Sequence, residues 1–314
     1  MSRLPRIKVS EERSWYHICA RVAGGLNWYP FDNPLIRQKF LALIKKYLAA
    51  FCCEAAAFCI MGNHYHLILC FEPFRLLSKE ELFHRALRLY KDPDKVLLTE
   101  KHWERFNERI FDLSELMRVI QSRFAKWYNR THDRRGAFWS ERFKSVLLEK
   151  GESVLDTLLY IELNPVRAGF VERPEEWKWG SAALRFSRID SWLIPLSSLV
   201  DAAPTSSVDV TYRSLLYYRG AVVSGKKGYV IPTHIVKMEQ ERGFYSSGSF
   251  RRKIRLFTDG AVLGSEIVVR DWITRFRREM YYQRRRKPII HKLDAAIRYS
   301  LKEQRFHEVK VSLG

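Results

Sequence analysis

Two apolar runs, residues 55–60 and 64–71, are separated by only three residues, Met61-Gly62-Asn63. A gap that short leaves no room for a crossover, so the runs have to pair as an antiparallel hairpin. Two neighbouring strands are thereby fixed, and the other elements must be arranged around them. Residues 15–22 (WYHICARV) form a further β-rich run that ends before Gly24-Gly25, and 143–148 form a fourth. Residues 33–50 carry Leu35, Ile36, Phe40, Leu43, Ile44 and Leu48 at helical spacing. A second amphipathic helix is predicted over 114–129, with Leu116, Val119, Ile120 and Phe124 on one side and Ser114 placed to cap it. A third covers 151–163, and Pro165 is expected to end it.

The order is strand, helix, two strands, helix, strand, helix. It predicts an α+β fold, a ferredoxin-like antiparallel sheet of the split β-α-β-β-α-β kind with its helices on one face. Residues 74–111 are polar and charged without sustained periodicity and read as a partly helical insertion. Residues 187–210, with Pro195, Pro204 and several serines, read as a connection. A first domain over 1–187 and a basic, partly helical C-terminal accessory region over 188–314 are therefore expected.

Charge narrows the class of partner. The 314 residues hold 55 Lys and Arg against 35 Asp and Glu, a net charge of +20. Half of it lies in residues 251–314, which count 17 Lys and Arg against 7 Asp and Glu. Such a field draws polyanions, because a nucleic acid sheds condensed counterions on binding. A hydrophobic content of 46% excludes a mainly disordered chain. Residues 1–15 are charged and lack the apolar core of a signal peptide. The longest apolar stretch, 47–61, is short and broken by Glu54, so no membrane partner is expected. The five cysteines, Cys19, Cys52, Cys53, Cys59 and Cys70, form no CxxC pair and sit in apolar surroundings, as reduced buried thiols do. A cytoplasmic protein is the expectation.

Two motifs bear chemistry. His64 and His66 lie two apart at the start of a strand, so both imidazoles project from one face while Tyr65 and Leu67 face the other. Side by side they make half of a metal site. Taken alone, the same pattern also describes one hydrogen-bonded core histidine beside an exposed one. Tyr160 and Asn164 are four apart and share a helix face. A phenol is a poor nucleophile while protonated, and a divalent cation helps by polarising the group under attack. His64, His66 and Asn164 as ligands beside Tyr160 meet that need, although a tyrosine at this position is also compatible with plain packing.

Met61-Gly62-Asn63-His64-Tyr65-His66-Leu67 resembles the M-P-N-H-x-H-L motif of the REP-associated tyrosine transposases, single-tyrosine members of the HUH nuclease superfamily. Tyr128-Asn129-Arg130 with Arg134-Arg135-Gly136 resembles that family's Y-N-R-x-x-x-R-x-G segment. Residues 138–145 (FWSERFKS) resemble its L-W-Q-x-R-F-K-S, and residues 160–169 (YIELNPVRAG) its Y-I-x-x-N-P-V-R-A-G. The likeness spans roughly 15–185, in family order, and residues 257–265 resemble a segment of longer members. Gly62 departs from the family's proline without removing a ligand, and the 74–111 stretch is longer than is common there.

The resemblance implies Tyr160 as nucleophile, forming a 5′-phosphotyrosine and freeing a 3′-hydroxyl. It implies His64, His66 and Asn164 as ligands of Mg2+ or Mn2+. Its substrates are single-stranded DNA folded into short palindromic hairpins, cut beside the stem, and rejoining needs no nucleotide cofactor. Arg123, Lys126, Arg130, Arg134, Arg135, Arg142 and Lys144 are expected to contact phosphates, with Tyr128 stacking on a strand. Tyr128 is also the rival nucleophile. Over 270–287, Trp272, Phe276, Tyr281 and Tyr282 alternate with arginines, which suits either binding a hairpin stem or its flanking guide sequence, or docking on the catalytic domain. Two other classes compare less well. A hairpin-binding regulator without cleavage need not keep His64, His66, Tyr160 and Asn164, and an RNA-binding sheet would expose aromatics where histidines stand here.

Overall fold

The computed structural model describes residues 6–24, 28–187, 191–199, 207–222, 228–242, 260–279, 288–293 and 296–302. The first half runs β1 (Ser14–Arg21), α1 (Pro34–Leu48), β2 (Cys53–Ile60), β3 (His64–Phe71), α2 (Lys79–Leu89), α3 (Glu100–Ile110), α4 (Leu113–Thr131), β4 (Lys144–Leu148) and α5 (Glu152–Glu162). There follow α6 (Asn164–Arg167), α7 (Ser181–Arg185), α8 (Val208–Ala221), α9 (Thr233–Glu241), β5 (Gly260–Gly264), α10 (Glu266–Glu279), β6 (Ile289–Leu293) and β7 (Ala296–Lys302).

The predicted hairpin is present, with β2 and β3 antiparallel and the Met61 amide donating to the His64 carbonyl at 2.9 Å. Gly62 lies in a close approach to the Asp32 side chain, which a larger residue would have to displace. A Cβ there would come within 2.7 Å of an Asp32 carboxylate oxygen. Strands β2, β3, β1 and β4 are neighbours in that order and all antiparallel.

The expectation of helices on one face is corrected. Tyr16, Ile18, Tyr65, Leu67 and Leu69 pack against Ile36, Phe40 and Ile44 of α1 and Leu116, Ile120 and Phe124 of α4. On the opposite face Trp15, Ile68, Cys70, Val146 and Leu148 pack against Val154, Leu158 and Ile161 of α5, with Tyr212 and Leu216 of α8 behind. The reason lies in strands such as β3, which are apolar at both parities along most of their length and so need cover on both sides. Each fully buried Leu, Ile or Phe contributes roughly 1.5–3 kcal/mol.

The sheet is also longer and more mixed than expected. Strand β5 joins β4 in parallel, and β7 and β6 extend it to seven strands. No break in the sheet therefore follows residue 187, and part of the 188–314 region continues the same layer. Residues of the predicted connection run along the free side of β2, where the Ile194 amide donates to the Ala55 carbonyl.

Smaller differences have local causes. The cap of α4 is Asp112, whose carboxylate accepts from the Ser114 and Glu115 amides, so Ser114 already lies inside the helix. Pro165 does not end the helical path, because a proline is tolerated in a first turn and opens α6 instead. The path ends at Gly169, at a φ of +76° that favours glycine. Residues 74–111 contain two helices that bury Leu82 and Ala86 of α2 and Phe106 and Ile110 of α3. The predicted basic helix of 270–287 lies within α10 as far as Glu279, and residues 280–287 and 257–259 lie outside the described residues. All five cysteines are free thiols. Among the described residues no helix is long and apolar enough to cross a membrane.

Candidate active site

Strand register assembles the site. On β1, Cys19 stands opposite His66 of β3 and opposite Lys144 of β4, while Arg21 stands opposite His64. Directly opposed residues share a face. His64, His66, Cys19, Arg21 and Lys144 therefore point to the side that α5 covers. Tyr65, between the two histidines, points the other way. It is fully buried, and its hydroxyl accepts from the Gln121 side-chain amide of α4 at 3.0 Å. That bond ties β3 to α4, while pairing with β1 and β2 fixes which way the histidines face.

Helix α5 brings Tyr160 to the same place. Its ring lies 5.6 Å from the His66 ring, centre to centre, at 83°. The His64 and His66 rings are 5.2 Å apart and perpendicular. Tyr160 is half-buried and borders a cavity of about 350 Å3 together with His64, His66, Cys19, Arg21 and Lys144. Ser140, Glu141 and Arg142 complete the rim. They are held there because the Ser140 amide donates to the Arg21 carbonyl, beside a bridge between Val22 and Trp139.

Helix α5 is anchored from behind. Glu162 is buried and accepts from Ser181 at 2.6 Å, Arg185 at 3.0 Å and Tyr212 at 2.7 Å. Asp156 pairs with Arg219 of α8 at 3.1 Å. Arg167 donates to the carbonyls of Arg219 and Tyr229, so it serves structure.

Electrostatics favour neutral imidazoles. Burial, then the Arg21 charge, pulls His64 down to about 4. Burial also takes His66 well below the usual imidazole range, with His17, His64 and Arg21 adding to the effect. Neutral rings keep a lone pair available to a cation. One nitrogen of each ring is already engaged, His64 Nδ1 with the Asn63 side chain at 2.8 Å and His66 Nδ1 with His17 Nε2 at 3.0 Å. Each ring can thus offer Nε2, and this donor set fits a divalent cation with most of its positions open. Among the described residues no group of three or more His, Cys, Asp and Glu side chains forms a complete metal cluster.

Other predicted residues fall elsewhere. Asn164 does not border the cavity, and its Nδ2 is buried with no hydrogen-bond partner. Tyr128 is corrected from a stacking surface to a core residue. It is 6% exposed, stacked on His132 at 4.0 Å and packed on Phe138 at 4.7 Å. Arg134 is likewise half-buried, lying over the Trp28 ring and donating to the Ala137 carbonyl. Arg123, Lys126, Arg130, Arg135 and Arg142 are exposed. Sequence reasoning missed His17, Cys19, Arg21 and Glu141. Alternation along 15–22 places His17, Cys19 and Arg21 on one face, a signal that needed the pairing with β3 to acquire meaning.

No protein-family model and no curated protein matches the chain. Among solved structures it is similar to a REP-associated tyrosine transposase bound to a REP hairpin, at 14% identity and a TM-score of 0.41, over 66% of this chain and 95% of that one.

Proposed function

We propose that the chain is a metal-dependent endonuclease and strand transferase of single-stranded DNA, cutting beside palindromic hairpins through a 5′-phosphotyrosine. The observation that carries this is the placement of Tyr160 across one basic-rimmed cavity from the His64–His66 pair. The Tyr160 oxygen attacks phosphorus and gives up its proton. The bond from phosphorus to the 3′-oxygen breaks, and that oxygen leaves as a 3′-hydroxyl once protonated. Attack by a 3′-hydroxyl on the phosphotyrosine reverses the step, so the phosphodiester's energy is kept and no nucleotide is consumed.

His64 and His66 would hold Mg2+ or Mn2+, with Asn164 reaching the ion only after a change in its side-chain direction. When bound, the cation supplies Lewis-acid charge to the phosphate oxygens. Lys144 and Arg142 add positive charge beside the Tyr160 ring and orient the phosphate. The exposed Arg123, Lys126, Arg130 and Arg135 would hold the flanking strand by its phosphates.

The test incubates the full chain with end-labelled hairpin DNA from beside its own gene and Mg2+ or Mn2+. A covalent adduct is expected with wild type and with Tyr128→Phe, and none with Tyr160→Phe. An adduct that persists in Tyr160→Phe refutes the assignment. DNA binding with no adduct in any variant would favour a hairpin-binding regulator.

A further inference from the structure

We propose that His17 is a positioning residue for the histidine pair: its Nε2 accepts the Nδ1–H of His66 across 3.0 Å, turning the Nε2 lone pair of His66 toward the cavity. This deepens the metal-site reading above and rests on it. A neutral imidazole carries one N–H, and which nitrogen holds it is set by the hydrogen bond the ring makes. The contact allows two arrangements. If His17 donated from Nε2, the His66 proton would sit on its own Nε2, facing the cavity, and no cation could bind there. If His17 accepts, the proton sits on His66 Nδ1 and Nε2 is left as a ligand.

The surroundings make His17 a rigid partner. It is 1% exposed, and its backbone is fixed in β1 opposite Ile68. The two ring planes are within 21° of parallel and their centres are 5.2 Å apart, the arrangement of imidazoles joined edge to edge by an in-plane hydrogen bond. The Tyr160 ring lies 6.1 Å from the His17 ring at 76°, so one buried ring adjoins both the ligand and the nucleophile. Metal-bound histidines generally need such an outer partner, and its loss typically weakens metal binding by ~10–100-fold. Residues opposite His66 on the flanking strands are Cys19 and Cys59, neither of which supplies a carboxylate for this role.

The experiment uses the full chain labelled with 15N-histidine. Long-range 1H–15N correlation in metal-free buffer reads the His66 tautomer, and a Mn2+ titration reads affinity. Wild type is expected to hold its proton on Nδ1. His17→Gln, which keeps an acceptor oxygen near the same place, should retain that tautomer and an affinity close to wild type. His17→Phe should lose the tautomer preference and bind Mn2+ ~10–100-fold more weakly. A wild-type His66 with its proton on Nε2 overturns the proposal without any variant, and so does a folded His17→Phe whose tautomer is unchanged. If wild type binds no Mn2+ at all, the metal-site reading fails, while the tautomers still decide the role of His17.

Discussion

The ring of Tyr160 meets the ring of His66 almost at a right angle, 83° between planes. Neither ring stacks on the other, so the phenol and imidazole edges meet at one cavity instead of covering each other. If that cavity holds a cation, chelation should abolish adduct formation while leaving DNA binding intact. His64 is the less buried of the pair. His64→Ala should therefore keep its fold and lose at least ~10-fold in Mn2+ affinity. The labelled-DNA adduct assay with and without chelator checks the first, and calorimetric titration of Mn2+ checks the second.

The Tyr65 hydroxyl accepts from Gln121, tying the histidine strand to α4. Tyr65→Phe leaves no cavity and removes one hydrogen bond, so it should cost about 1 kcal/mol in urea unfolding. Adduct formation should slow by more than the lost stability explains, because the strand then holds its histidines less firmly.

Glu239 of α9 is buried and accepts from Arg213 at 2.6 Å, Arg173 at 3.0 Å and Arg242 at 3.2 Å. Burial pushes its carboxyl upward, but the Arg213 hydrogen bond and the arginine charges outweigh it and hold the group below its ordinary value. A depressed folded value means stability present above the unfolded value of about 4.3 and lost as pH falls through the folded one. Glu239→Gln should thus be less stable than wild type at pH 7, and the gap should close on acidification below about 4. Melting curves over pH 3–7 measure it.

Arg123, Lys126 and Arg130 form one exposed stripe along α4. Each phosphate contact on a single strand adds about 0.7 to the slope of log affinity against log salt. Replacing all three with alanine should flatten that slope by about 2, with melting temperature unchanged. An unaltered slope would place the DNA path elsewhere.

Much of this was legible in the chain because local periodicity wrote it. The hairpin, α1, α4 and α5 followed from apolar spacing, and a period of two put His64 and His66 together. What escaped depends on register and topology. His17 inside WYHICARV looks like any polar residue in a buried strand until its pairing with β3 is known. The second covered face of the sheet could not be read from α5 alone, since an apolar stripe states that a helix is covered and not by which layer. Tyr128 misled because the surrounding Lys126 and Arg130 are exposed while the tyrosine turns inward. Asp112 and Ser114 are both capping residue types, and only backbone geometry separates them.

Strand β4 carries Lys144 and is paired on both sides, with β1 and with β5. A chain shortened after residue 187 would strip one of those partners and bare the backbone of β4 at Leu147 and Leu148, the end of the strand away from Lys144. Such a rim recruits other chains. The shortened protein would then be prone to self-associate through β4, so β5 and β7 guard the exposed side of the strand that carries Lys144.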